Sequence, residues 1–164
     1  GHTVIGFSKS TGCDITQESH RNLIVDSLKT CDVFINNAYA YNAQKQLLID
    51  AIEIWKDTKN TIVNIDSKST LVEFPPAFMK EYVDDKNQQK KLIKDRIFRA
   101  RPHIINFTVG LVDTDMSSMF SAKKMNPIDI AKLIEFIISM KDSVAVQDIL
   151  VEVPDLDWND INLP

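Results

Sequence analysis

Residues 61–67, Thr61-Ile62-Val63-Asn64-Ile65-Asp66-Ser67, form a β-branched apolar run that ends in polar side chains. A run of this length between polar residues predicts a buried β-strand over 61–65. Similar runs lie at 3–7, 32–35, 103–107 and 148–153. The sequence therefore predicts five strands.

Helical patterns separate most of these strands. The segment after 32–35 has one apolar face, formed by Leu47, Leu48, Ala51, Ile52 and Trp55. A loop at 74–76 precedes a helix that holds Tyr82, and Asn126 and Pro127 mark the start of another. That last helix carries Ile130, Leu133, Ile134, Ile137 and Ile138 at helical spacing.

Alternating strands and helices predict an α/β fold with a doubly wound, mainly parallel sheet of the Rossmann-like kind. We expect residues 1–164 to form a single domain, because no repeat or linker interrupts the pattern. In such sheets ligands bind beyond the carboxyl ends of the strands. Functional residues should therefore follow the strand ends.

Composition excludes several function classes. A net charge of −4 does not favour nucleic acid or an anionic membrane as partner. No apolar run approaches the ~18 residues that a membrane span needs. Cys13 and Cys31 form no metal-binding or redox motif, so we expect a soluble protein of the reducing cytoplasm.

The end of the chain imitates the start of a calcium loop. Asp155, Asp157 and Asn159 have suitable spacing, but Asp160 stands where such a loop needs glycine. We therefore predict no metal.

Polar residues gather where the predicted strands end. The strand at 32–35 runs into 36–39, Asn-Asn-Ala-Tyr, and the strand at 103–107 runs into Gly110 and Thr114. Between the strands at 61–65 and 103–107 lie Tyr82 and Lys86, which share one helix face because they are four residues apart.

The order and content of these segments resemble the short-chain dehydrogenase/reductase family, over nearly the whole chain. The resemblance implies that Tyr82 is the general acid or base and that Ser67 donates to the substrate oxygen. Ser69 is a rival to Ser67, because Tyr82 follows Ser67 by 15 positions, slightly more than is usual in the family. The family's asparagine is best matched by Asn42.

A lysine near Tyr82 is expected on physical grounds if Tyr82 is the general acid or base. A phenol with a pKa near 10 is useful around neutrality only where a neighbouring cation stabilises its phenolate. By resemblance, Lys86 also binds the nicotinamide ribose. The alternative is that Tyr82 and Lys86 are ordinary helix residues, Ser67 a turn residue and Asn42 a helix cap.

The resemblance also implies a cofactor. Residues 1–6 are similar to the family's second strand and 13–16 to its short third strand, which places Ser8 and Lys9 where the family distinguishes NADP from NAD. Hydroxyl and basic side chains there favour NADP. The remaining cofactor-binding positions implied are Asp14 near the adenine, Asn37 and Ala38 in the turn, Val109, and Thr114 at the carboxamide.

One family feature is missing from the sequence. The glycines are Gly1, Gly6, Gly12 and Gly110, so no G-x-G-x-x-G motif exists. We expect an N-terminally truncated domain that lacks the first strand and helix. In it, the strand at 3–7 should slide beside 32–35; a partner chain or a rearranged segment filling that place is the alternative.

Two function classes remain open. The first is an oxidoreductase that transfers a hydride between NADP(H) and a carbonyl or alcohol, with Met116, Met119 and Phe120 able to cover an apolar substrate. The second is a non-catalytic binding or structural protein that has lost its cofactor. By resemblance, we expect a homo-oligomer formed through the helices that carry 47–55 and 82–98.

Overall fold

The computed structural model describes residues 1–96 and 101–154 and contains a four-stranded parallel sheet. The strands lie side by side in chain order. They are β1 (Val33–Asn36), β2 (Thr61–Ser67), β3 (His103–Val109) and β4 (Asp148–Val151). Four of the five predicted strands are thereby confirmed.

Four α-helices accompany the strands within the described residues, and the last three lie where the sequence predicts helices. They are α1 (Glu18–Leu28), α2 (Ala43–Ile54), α3 (Lys80–Arg96) and α4 (Pro127–Ser139). At the start of α4 the Asn126 side chain accepts a hydrogen bond from the Ile128 backbone N–H at 2.9 Å, and Pro127 occupies the first turn, where its missing N–H costs nothing.

Helices cover both faces of the sheet. On one face Ile62 and Ile104 pack with α1, α2 and α3, and Trp55 Nε1 donates to the Leu28 carbonyl at 3.1 Å. On the other face α4 packs against Val63, Ile105 and Phe107. The sheet is therefore doubly wound and Rossmann-like, in agreement with the prediction.

The predicted strand at 3–7 is wrong. Residues 1–8 have no strand structure and pair with no strand of the sheet, so the proposed slide beside 32–35 does not occur. Phe7 instead packs into a cluster with Cys13, Ile15 and Leu47, while Val4 stays 83% exposed. Because Phe7 packs in this cluster, which includes residues of α2, the segment at 3–7 does not extend along β1. Residues 13–16, expected by resemblance to form a short strand, contain no strand either.

The face covered by α2 and α3 changes character along the strands. Its lower half is apolar, whereas Asn36, Asn64 and Asn106 lie opposite one another across β1, β2 and β3 nearer the carboxyl ends. All three are buried, and Asn36 Nδ2 donates to Asn64 Oδ1 at 2.9 Å. This polar layer leads toward the strand ends, where the candidate site lies.

Some expectations fall beyond the described ranges. Phe98, at the end of one predicted oligomer helix, lies outside the described residues, as do Asp155, Asp157 and Asn159. Within 1–96 and 101–154, no helix is long and apolar enough to cross a membrane.

Candidate active site

Ser67 is the last residue of β2, at the carboxyl edge of the sheet. Its Oγ lies 2.8 Å from Ser69 Oγ and accepts a hydrogen bond from the Ser69 backbone N–H. Ser69 is the more buried of the two, with 6% of its surface exposed, while Ser67 is half-buried. Both hydroxyls therefore belong to one small cluster, of which Ser67 is the more accessible member.

Tyr82 lies in the first turn of α3, above the end of β2. Its side chain is half-buried. Burial raises the pKa of Tyr82, the Ser67 hydroxyl partly offsets this by hydrogen bonding, and the charge of Asp66 raises the pKa further. Tyr82 is accordingly a neutral phenol near neutral pH, able to donate a proton.

Lys86 follows one turn later on the same face of α3 and is only 2% exposed. Its Nζ donates to the Ile65 carbonyl at 2.7 Å and to Gln44 Oε1 at 2.8 Å, and lies 5.7 Å from the centre of the Tyr82 ring. Burial lowers the pKa of Lys86 to about 8, against the opposing effects of Asp66 and Asp85. Lys86 is thus a buried cation beside the tyrosine.

The free energy of unfolding should depend on pH because the charge of Lys86 is buried. The pKa of Lys86 is about 8 in the folded protein and 10.5 in an unfolded chain. Such a group opposes folding below about pH 8, and the penalty of about 3 kcal/mol is relieved as the pH rises toward 10.5.

We expect the unfolding free energy of the wild type, relative to Lys86→Met, to rise by about 2 to 3 kcal/mol between about pH 8 and pH 10. Urea unfolding of both proteins measures this difference, and groups common to both cancel. A difference that stays constant with pH would contradict a buried, titrating Lys86.

Gln44 is a site residue that was not predicted from the sequence. It is fully buried in the first turn of α2, and its Nε2 donates to the Asn36 carbonyl at 2.7 Å and to the Ile65 carbonyl at 3.2 Å. The sequence does contain an indication of its role: Gln44 lies on the same helix face as Leu47, Leu48 and Ala51, where a polar residue is unusual. Asn42, the predicted asparagine, is exposed at the N-cap of α2 and makes no capping bond.

Tyr39 is a second residue that was not predicted to be in the site. Its ring meets that of Tyr82 edge-on at 4.7 Å, and Lys86 Nζ lies 5.8 Å from its centre. Its hydroxyl donates to Asp85 Oδ2 at 3.4 Å. Burial, together with the Asp85 charge and hydrogen bond, raises the pKa of Tyr39 to about 12. Two phenols therefore flank the buried cation.

The predicted cofactor positions lie on several loops. Ser8 caps a short 3₁₀ turn that begins with Lys9, and Lys9 Nζ lies 3.2 Å from Asp14 Oδ2. Hydrogen bonds from Thr16, with help from Lys9, lower the pKa of Asp14 to about 2. Ser8 and Lys9 are exposed, and Asp14 is half-buried.

The other predicted cofactor positions follow β1 and β3. Asn37 and Ala38 are exposed after β1. Val109 ends β3, directly opposite Ser67 in the sheet, and Thr114 is exposed at the start of a 3₁₀ turn. The roles assigned to these residues stay predictions.

Exposed apolar side chains occur in the segments that follow β2 and β3. Because these strands are adjacent and parallel, both segments leave the sheet at the edge that holds Ser67. The side chains are Leu71, Val72, Phe74, Phe78, Met116 and Met119, each at least 40% exposed. Phe120, also predicted to cover a substrate, is half-buried.

No family model matches this chain, and no curated protein sequence matches it. Its fold, however, is similar to many solved structures. A mutant 4-hydroxyisoleucine dehydrogenase complexed with NADH and succinate is 18% identical, with a TM-score of 0.66 over 85% of this chain and 75% of that one.

Two further structures extend the likeness. A blue fluorescent protein from a metagenomic library, in complex with NADPH, is 16% identical with a TM-score of 0.65, covering 85% of this chain and 72% of that one. A short chain dehydrogenase/reductase family protein is 15% identical with a TM-score of 0.62, covering 85% and 73%. The chain therefore has the Rossmann-like fold of short-chain dehydrogenase/reductase structures.

Proposed function

We propose that this chain is a member of the short-chain dehydrogenase/reductase family and acts as an oxidoreductase that transfers a hydride between NADP(H) and a carbonyl or alcohol. The observation that carries the proposal is the grouping of Ser67, Tyr82 and the buried cation of Lys86 at the carboxyl edge of the sheet. The fold it shares with dehydrogenases supports the same conclusion.

Each of these residues has a chemical task in the reduction of a carbonyl. Ser67 donates a hydrogen bond to the carbonyl oxygen and so stabilises the negative charge that develops there. Tyr82 delivers the proton to that oxygen, giving the alcohol, and Lys86 stabilises the phenolate left behind. A nicotinamide cofactor, when bound, would supply the hydride to the carbonyl carbon.

Lys86 also fits a role in binding the cofactor. An ammonium has three N–H donors, and two are engaged by Ile65 and Gln44. The third is suited to a ribose hydroxyl on the side of Tyr82. Lys9, exposed and basic, would pair with a 2′-phosphate, which is why we propose NADP in preference to NAD.

The substrate should carry an apolar portion. The exposed side chains that follow β2 and β3, Phe74 and Met116 among them, can cover such a group once it is bound. This adds a hydrophobic contribution to a site whose polar groups hold only the reacting oxygen.

A second candidate is a binding or structural protein without cofactor. It is favoured by the ring of Tyr39, which packs edge-on against the ring of Tyr82 at 4.7 Å and so covers part of the proposed proton donor. The two candidates make opposite predictions about NADPH.

Titration of NADPH fluorescence with the purified protein separates the candidates. We expect saturable binding, tighter than that of NADH in a parallel titration, and weakened about tenfold or more by Lys86→Met. Lys80→Met is the matched control, because Lys80 is an exposed lysine on the same helix. The absence of saturable binding up to about 1 mM NADPH would instead support the non-catalytic candidate.

A further inference from the structure

We propose that Asp66, held by Lys90, is the counter-charge that keeps the buried Lys86 protonated, and is thus a positioning residue for the candidate site. Asp66 directly precedes Ser67 and points to the opposite face of β2, toward α3. The proposal rests on the proposed function in one respect only: that the Lys86 cation stabilises the phenolate of Tyr82 during the reaction.

Asp66 is a fully enclosed carboxylate, with only 1% of its surface exposed. Its Oδ2 accepts weak hydrogen bonds from Asn106 Nδ2 at 3.3 Å and from Thr108 Oγ1 at 3.4 Å, and lies 3.9 Å from Lys90 Nζ. Its Oδ1 is buried without a hydrogen-bond partner among the described residues. A carboxylate buried in this way is costly to fold unless cations neutralise it.

Two cations reach this part of β2 from successive turns of α3. Lys86 donates to the carbonyl of Ile65, and Lys90 lies beside the carboxylate of the next residue, Asp66. The side chain of Lys90 is 17% exposed. Two ammonium groups on one helix face repel each other, and a nearby anion offsets this repulsion.

Two carboxylates, Asp66 and Asp85, raise the pKa of Lys86, and Asp66 has the larger effect. From β2 comes Asp66, and from the loop after β1 comes Tyr39. From α3 come Tyr82, Asp85 and Lys90. Asp85 is also buried, and its Oδ2 already accepts from the Tyr39 hydroxyl. Asp66 has an oxygen to spare, and its charge raises the pKa of Lys86 against the lowering effect of burial.

Lys90 and Asp66 therefore have different roles. Lys90 makes the burial of the Asp66 carboxylate tolerable, and the carboxylate offsets the cost of a second buried cation at Lys86. Asp66 touches no substrate. Its charge favours the Lys86 cation, which stabilises the phenolate of Tyr82, whereas its direct effect on Tyr82 is the opposite and raises the pKa of the phenol.

The test is the titration of Lys86 itself, followed by NMR of protein carrying isotope-labelled lysine. The Lys86 signal is identified by its loss in Lys86→Met. In Asp66→Asn we expect the pKa of Lys86 to fall below about 7, because the negative charge that opposes the effect of burial is then removed. In Lys90→Met we expect it to rise, because the carboxylate then faces Lys86 alone.

Asp84→Asn is the matched control, since Asp84 is an exposed carboxylate on α3 paired with Lys80, and it should leave the titration of Lys86 unchanged. A folded Asp66→Asn protein with an unaltered Lys86 titration would overturn the proposal. If Asp66→Asn does not fold, Lys90→Met decides, and an unchanged or lowered pKa of Lys86 there counts against it. The readout needs no turnover, so failure of the proposed enzymatic function gives a separate result.

Discussion

Replacing Tyr82 with phenylalanine is expected to lower the turnover of NADPH-dependent carbonyl reduction by about 10²- to 10⁴-fold, the usual contribution of a positioned general acid. The ring, with its edge contact to Tyr39, is retained, and only the proton donor is lost. The dissociation constant for NADPH should stay nearly unchanged, because Lys86 and its two acceptors remain in place. Initial rates of NADPH oxidation with apolar ketones and aldehydes measure the first effect, and fluorescence titration measures the second.

Tyr41→Phe is the matched control for this change. Tyr41 is 60% exposed and lies in the same loop as Tyr39. The Tyr41→Phe variant also loses a phenolic hydroxyl, and its turnover should stay close to that of the wild type. Tyr82→Phe with unaltered turnover would exclude Tyr82 as the acid. Equal losses in the two variants would indicate a general effect on the fold.

The largest effect on stability is expected from Gln44→Leu, at about 3 kcal/mol of unfolding free energy. Leucine has a similar size, so the change removes polar partners without opening a large cavity. The Asn36 carbonyl loses a donor at 2.7 Å, and the buried ammonium of Lys86 loses an acceptor at 2.8 Å. Unsatisfied buried groups, one of them charged, are costly.

Urea unfolding near pH 7 measures this loss, with Gln46→Leu as its control. Gln46 is exposed on the same helix, and its side chain bonds only to Asp50 among the described contacts, so its replacement should cost less than about 0.5 kcal/mol. The loss in Gln44→Leu should shrink above about pH 8, where Lys86 becomes neutral. A loss below about 1 kcal/mol at pH 7 would mean that the network around Gln44 contributes little to stability.

The local elements of the fold were predictable because each has a pattern of its own. The run at 61–65 and the capped helix that follows Asn126 are both found where their patterns place them. The segment at 3–7 has an equally good strand pattern but is not a strand. A strand needs a partner as well as a pattern, and here the packing of Phe7 against α2 competes with pairing to β1.

The sequence by itself determined β1 to β4, α2 to α4 and the positions of Ser67, Tyr82 and Lys86 relative to them, since each depends on neighbours within a few residues. Only the tertiary structure decided what surrounds them. Gln44 reaches Lys86 across 42 residues of chain, and Tyr39 meets Asp85 across 46. Such contacts depend on strand order and helix packing, which side-chain periodicity does not encode. The shifted pKa values of Tyr39, Tyr82 and Lys86 follow from burial that exists only once the sheet and its helices are assembled.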